Sequence, residues 1–322
     1  MSSDQLTYLV FGTALLLALI LDLGLLSKKS TTISIKKALL QTILWVILAL
    51  LFFGFLFIAK GHVIAVEYLS AYLMEWSLSI DNIFLFILIF SFFGVKEKYY
   101  ARALLIGILT AIALRILFIA IGIELISRFH WLLYVFGAVI LFTGIKMFSA
   151  KGDEEQNLAD SRIYKFLKRF FPLTNEEAGG KYSILKEGKR YYTNMFVVII
   201  MLATTDIIFA LDSIPAVFAI SQNPLVVYTS NIFAVLGLRS LFFLLKGAVN
   251  KFRYLQQGIA VILIFIGLKM LAEIFDFHVP IYISLLVILV CIVASILYSM
   301  NKSDESEDEK QQKGISSTNE GN

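Results

Sequence analysis

Four carboxylates stand deep inside long apolar stretches of the chain: Glu75, Asp81, Asp206 and Asp212. Counted from the centres of their runs, each lies within about 5 Å of the middle at 1.5 Å rise per residue. A charge at that depth in a bilayer costs at least ~2.5–3.5 kcal/mol. Four on two segments need a reason, and buried intramembrane ionisable groups mark ion or proton paths. Arg115 and Arg239, in neighbouring runs, are charge partners for two of the four. Position within each repeat pairs Asp81 with Arg115 and Asp212 with Arg239. Four acids against two arginines leave two negative charges, which one divalent cation or two protons would neutralise. The competing reading is acid–arginine pairing that only holds helices together.

The acids of each pair are six residues apart. On a straight helix that is about 120° around and ~9 Å along the axis, so one ion cannot meet both. Either the pair marks two stations on a path, or the helix is locally broken. Pro215, three residues after Asp212, removes a backbone donor and favours a break. Ser79, Asn82, Thr205 and Ser213 add oxygens nearby. An all-oxygen donor set suits Mg²⁺, Ca²⁺ or Mn²⁺ rather than Cu⁺. The single Cys291 excludes a disulfide framework or thiolate cluster, and the three histidines, His62, His130 and His278, fall between apolar runs. No HExxH, glycine-rich nucleotide loop or nucleophile–base pattern appears, so the chain is not expected to be an enzyme or to hold a permanent cofactor.

The elements that must position these groups are membrane helices. The chain is 59% hydrophobic and 16% charged, with a mean hydropathy of +0.82. About 20 apolar residues cross a hydrocarbon core of about 30 Å. Nine runs qualify, at about 6–26, 38–59, 66–94, 102–126, 130–149, 194–221, 226–247, 255–275 and 280–299. Lipid cannot satisfy an open backbone, so the fold class is all-α and polytopic. The opening run lacks a basic leader and reads as a retained helix. Basic residues gather in alternate loops: Lys28, Lys29, Lys36 and Lys37, then Lys96 and Lys98, then nine within 150–193, then Lys251 and Arg253. This places the N-terminus outside and the C-terminus in the cytoplasm of a cell membrane. Within 150–193, Ile163, Phe166, Leu167 and Phe170 recur at helical spacing among basic residues, which predicts an interfacial helix on the lipid surface. The net charge of +4 sits in loops and tail, so nucleic acid is not an expected partner. Lys146 and Lys269, near helix ends, read as snorkelling; Asp22, Glu124, Glu273 and Asp276 read as interfacial or surface charge.

The sequence also repeats itself. Glu75-Trp-Ser-Leu-Ser-Ile-Asp81-Asn-Ile matches Asp206-Ile-Ile-Phe-Ala-Leu-Asp212-Ser-Ile. The segment around Arg115 matches that around Arg239, and Phe142-Thr-Gly-Ile-Lys146-Met matches Phe265-Ile-Gly-Leu-Lys269-Met. The offsets are 131 (Glu75 to Asp206), 124 (Arg115 to Arg239) and 123 residues (Lys146 to Lys269). Each unit has three helices, so the two have opposite topology, the arrangement of secondary transporters. The expected organisation is two leading helices in 1–65, repeat 1 in 66–149, a cytoplasmic loop at 150–193, repeat 2 in 194–275, a last helix in 276–300 and a disordered polar tail at 301–322.

The run Thr205-Asp-Ile-Ile-Phe-Ala-Leu-Asp-Ser-Ile-Pro-Ala216, then Tyr228-Thr-Ser-Asn-Ile-Phe-Ala-Val-Leu-Gly-Leu-Arg-Ser240, resembles the signature of the TerC family. So do Glu75-Trp-Ser-Leu-Ser-Ile-Asp-Asn82 and the loop pieces Arg169-Phe-Phe-Pro172 and Gly188-Lys-Arg190, over roughly residues 60–300. That resemblance implies an exporter of the LysE type. The family is named for tellurium resistance, and its bacterial members are associated with manganese export and with metal-loading of exported enzymes. It makes Glu75, Asp81, Asn82, Asp206, Asp212 and Ser213 the candidate ion-site residues. Many relatives carry an acid three positions before the first repeat-2 aspartate; here that position is Ala203. The leading expectation is a divalent-cation exporter with Mn²⁺, or Ca²⁺, as transported substrate, working by alternating access. The alternative is a membrane partner for insertion, assembly or metal-loading of other membrane or exported proteins, in which the acids are structural.

Overall fold

The computed structural model describes residues 7, 9–13, 15–16, 33–149, 162–174, 179–186, 188–246, 255–275, 277, 279–280 and 282–299. The side chains of Ile80, Asp81, Phe84, Arg162, Ile163, Leu211, Asp212, Leu255 and Gln256 also lie outside the description. The long helices are α1 (Ile35–Lys60), α2 (His62–Phe92), α3 (Tyr100–Arg128) and α4 (Leu132–Ser149). After the short α5 (Arg162–Phe170) and two strands come α6 (Asn194–Phe218), α7 (Pro224–Leu245) and α8 (Leu255–Ala272), and then α9 (Tyr282–Ser299). Among the described residues seven helices are long and apolar enough to cross a membrane, and α2, which carries the first acidic pair, has 31 residues. The protein is an all-α polytopic membrane protein. Of the first expected run, 6–26, only residues 7, 9–13 and 15–16 are described, all helical; the tail 301–322 lies outside the described residues.

The sequence of α1 shows how these helices are used. Ser34 caps it, its side chain accepting from the Lys37 amide. Ala38, Thr42, Trp45, Ala49, Phe52 and Leu56 recur every three or four residues and form the buried stripe. Leu40, Leu51 and Ile58 on the other side are exposed and apolar, so both faces suit a low-dielectric surround: protein on one, lipid on the other. The buried stripe packs against α7 and α2. There Phe52, Tyr68 and Phe233 pack their rings edge-on or tilted, with centroids 5.3–6.4 Å apart. Helix α7 is central, with nearly every side chain buried, including Thr229, Ser230, Asn231, Arg239 and Ser240. Asn223 caps it through the Leu225 amide, and Pro224 occupies the first turn.

The two sets of three helices interlock. Helix α2 packs on α7, α3 on α6, and α4 on α8. The α4–α8 contact is reciprocal. A Cβ on Gly144 would lie 2.8 Å from the Ile264 amide, and one on Gly267 would lie 2.6 Å from the Leu141 amide. Ile264 and Leu141 are themselves matching residues, each three before its glycine. Such mutual contact is what a two-fold relation between the two sets produces. Small residues let helix backbones approach closely where lipid offers no hydrophobic drive. Gly267→Val should therefore lower the melting temperature of the detergent-purified chain, with an overpacking cost of about 1–3 kcal/mol. Unchanged melting would show that the α4–α8 contact gives way freely.

Two sequence expectations change. Helix α6 runs unbroken through Pro215. Pro215 cannot donate to the Leu211 carbonyl, and the helix carries that one missing bond through to Phe218 without a break. The following turn closes with Ala219 N–H donating to the Pro215 carbonyl at 3.1 Å and Ser221 N–H to Val217 at 2.9 Å. The 150–193 loop holds more than the expected helix. Strands β1 (Ser183–Lys186) and β2 (Lys189–Tyr192) pair antiparallel across a two-residue turn, with Gly188 at φ 76°. Helix α5 does form; Leu167 faces inward while Phe166 and Phe170 are exposed. Tyr164 packs its ring on Phe93 at 5.4 Å, which docks α5 at the end of α2.

Candidate functional site

Four helices meet at Arg115. Its guanidinium, 1% exposed, lies in the middle of α3. Nη1 donates to Glu75 Oε2 of α2 at 2.5 Å and to Asn231 Oδ1 of α7 at 2.8 Å. Nε and Nη2 donate to the two oxygens of Asp206 in α6, at 3.3 and 3.4 Å. This forked pairing with one carboxylate is what a planar guanidinium provides and an ammonium does not. Asn231 is itself oriented, its Nδ2 donating to the Val227 carbonyl at 3.1 Å.

Glu75 and Asp206 are the matching acids of the two sets, and one arginine holds both. Arg115 thus pairs across the two sets, while the expected Asp81–Arg115 pairing involves a side chain outside the described residues. Two buried carboxylates on one guanidinium leave a negative charge in a site closed to water, a costly state unless a cation or proton joins it. Arg239, the match of Arg115, is also buried.

Around this centre, oxygens are left over. Glu75 Oε1, Ser79 Oγ and Ser213 Oγ are buried with no hydrogen-bond partner among the described residues. Ser79 is one turn from Glu75 on α2, and α2 packs directly on α6, which carries Ser213. Asn82 and Thr205 are buried as well. Buried polar atoms in native proteins are almost always satisfied, so three orphans in one region point to something that visits them. A cavity of about 10 Å³, the scale of one water, opens beside Asp206 between Gly107, Ala111, Leu202 and Leu238.

Asp81 and Asp212 lie within α2 and α6, but their side chains are outside the described residues. Among the described residues no three His, Cys, Asp or Glu side chains gather as a metal site. Helices α2 and α6 run without a break through residues 75–81 and 206–212.

Lys146 is exposed, as expected of a snorkelling side chain. Lys269 is not: it is 8% exposed, and its Nζ donates to the Ala219 carbonyl at 3.2 Å. Burial wins there because the last carbonyls of α6 offer a negative helix end to the ammonium. Glu124 pairs with Arg128 at 2.6 Å on the surface. Asp22 and Asp276 lie outside the described residues. Sequence reasoning passed over Asn231 and also Glu67, whose Oε2 accepts from Ser221 Oγ at 2.5 Å. Their signal was available: each is a polar residue in or beside an otherwise apolar run.

The chain is 42% identical over 286 residues to the uncharacterized membrane protein STKORF319 of Myxococcus xanthus, covering 88% of this chain and 89% of the other. It is 42% identical over 284 residues, 85% of this chain and 88% of the other, to the protein Alx of Salmonella typhi. It is 39% identical over 297 residues, 89% of this chain and 92% of the other, to Alx of Escherichia coli (strain K12). The names of these Alx proteins describe them, provisionally, as membrane-bound redox modulators. No solved structure matches the chain. The profile described as "Integral membrane protein TerC family" matches residues 60–307, so the chain belongs to the TerC family of integral membrane proteins.

Proposed function

We propose that this protein transports a divalent metal cation, with Mn²⁺ as the favoured substrate and Ca²⁺ as the nearest competitor, by alternating access between two inverted three-helix repeats. The observation that carries the reading is the set of buried oxygens without partners, Glu75 Oε1, Ser79 Oγ and Ser213 Oγ, beside a centre with more carboxylate than guanidinium. Hard oxygens of this kind bind Mn²⁺ and Ca²⁺ and disfavour Cu⁺. The reciprocal packing of α4 on α8 supports the inverted relation, and in such folds the substrate site lies near the midplane where repeats meet. The loop charges support a cytoplasmic hairpin side, and export is the direction the family resemblance favours.

A redox role by dithiol exchange within the chain finds no support, since Cys291 is its single cysteine. The assembly-partner reading makes the acids purely structural and leaves the orphaned oxygens without a purpose. Vesicles carrying the purified chain and loaded with ⁵⁴Mn²⁺ should release it faster than protein-free vesicles, with a rate that changes when a pH gradient is imposed. Release equal to that of empty vesicles under every gradient would remove the transport reading.

A further inference from the structure

The turn between α6 and α7, residues 219–223, is held from two sides. Lys269 of α8 donates to the Ala219 carbonyl at the end of α6. Glu67 of α2 accepts from Ser221 at 2.5 Å, and Ser221 Oγ in turn accepts from the Asn223 amide at 3.1 Å. The charges match the helix ends they meet: an ammonium at the C-terminus of α6, and a carboxylate close to the N-terminus of α7. Lys269 is within electrostatic reach of Glu273 and Glu67, so the buried cation is balanced by acids just past the end of its own helix and on α2. Immediately before this turn, α3 and α6 are also in close contact. A Cβ on Gly122 would fall 2.7 Å from the Phe218 ring.

The other repeat lacks this use of its lysine. Lys146, the match of Lys269, is exposed, while the small cavity beside Asp206 lies toward the hairpin side, lined by Phe86, Leu104 and Leu202. The two matching lysines are thus in different states in a fold whose halves otherwise pack reciprocally. In an inverted-repeat transporter such a difference between repeats is how one side is shut and the other is free to open.

We propose that Lys269 and Glu67 latch the 219–223 turn as a gate that closes the face remote from the hairpin, and that Lys269 must release Ala219 before the centre opens to that face. This rests on the transport reading for its purpose, but its test needs no cargo. Ala71, fully buried, lies one turn from Glu67 and one turn from Glu75 on the same face of α2. A cysteine placed there reports access between gate and centre.

The full-length chain with Cys291→Ser and Ala71→Cys is reconstituted in vesicles. It is then labelled with a membrane-impermeant maleimide on the face remote from the hairpin. Lys269→Met should raise the labelling rate about tenfold or more, the scale of one lost hydrogen bond to a charged group. Lys269→Arg should keep labelling slow. Ser221→Ala, which removes the Glu67 contact at the other end of the turn, should also raise the rate. If Lys269→Met and Ser221→Ala elute as folded protein and both label at the parent rate, the gate is refuted. If labelling rises while ⁵⁴Mn²⁺ release is absent, the gate stands and the cargo assignment falls.

Discussion

Arg115→Gln should cost the protein most of its stability. The change leaves Glu75 and Asp206, both essentially inaccessible, without their shared cation. Breaking one buried pair in this way costs about 3–5 kcal/mol, and here two carboxylates lose the same partner. Glutamine can still donate to one of them, so the loss is not the sum of two broken pairs. Arg115→Lys should fare little better. One ammonium on a flexible stem cannot reach Glu75, Asp206 and Asn231 together as the fork does. The measurement is thermal unfolding of the detergent-purified chain followed by gel filtration. Glu75→Gln and Asp206→Asn added to Arg115→Gln should bring stability back, because a neutral cluster of similar volume replaces the charged one. Wild-type melting of the single variant would mean that Arg115 does not carry the centre.

Asp81→Asn and Asp212→Asn should have the opposite profile, with intact protein and little transport. The substitution keeps volume and removes only charge. Arg115 takes its acids from Glu75 and Asp206, so neutralising Asp81 does not strand that guanidinium. Loss of a supporting group around a metal costs ~10–100-fold, and loss of a ligand costs at least as much. ⁵⁴Mn²⁺ release should therefore fall at least ~10-fold, with elution and melting close to wild type. Adding Arg115→Gln or Arg239→Gln should not restore it. Rescue by either double change would assign the aspartates to arginine pairing and withdraw them from the ion path.

The parts of the site that sequence makes legible are those set by depth and periodicity. Acids at the middle of apolar runs, matching acids in a repeat and the amphipathic spacing of α5 each follow from counting residues along a helix. What counting cannot supply is which helix lies next to which. The Arg115 bridge spans residues 75, 115, 206 and 231, and spacing within one repeat says nothing about a partner in the other. Lys269 reads as snorkelling because it stands near the end of an apolar run. Only the position of the α6 terminus shows that a set of carbonyls waits for it. Pro215 was expected to break α6, but the one bond it withholds, to the Leu211 carbonyl, does not interrupt the helix. The β1–β2 hairpin left a weak mark, a glycine after Glu187 between two four-residue strands, inside a loop otherwise marked by its basic residues.

The antiparallel packing of α2 on α6 has an electrical consequence. Glu67 meets Ser221 at one end, and Asn194 Nδ2 donates to the Phe93 carbonyl at the other. Residue 81 stands twelve residues before Phe93, about 18 Å along its helix, and residue 212 stands eighteen residues after Asn194, about 27 Å along its own. The two backbone positions are therefore about 9 Å apart along the helices. That is about 30% of a hydrocarbon core of about 30 Å. A divalent ion passing from one position to the other would cross the same share of the membrane field. At about 2.3 kcal/mol per charge per 100 mV, the step is worth about 1.4 kcal/mol. An exporter built on this frame would work uphill against an inside-negative potential, and whatever drives it must supply at least that much per ion.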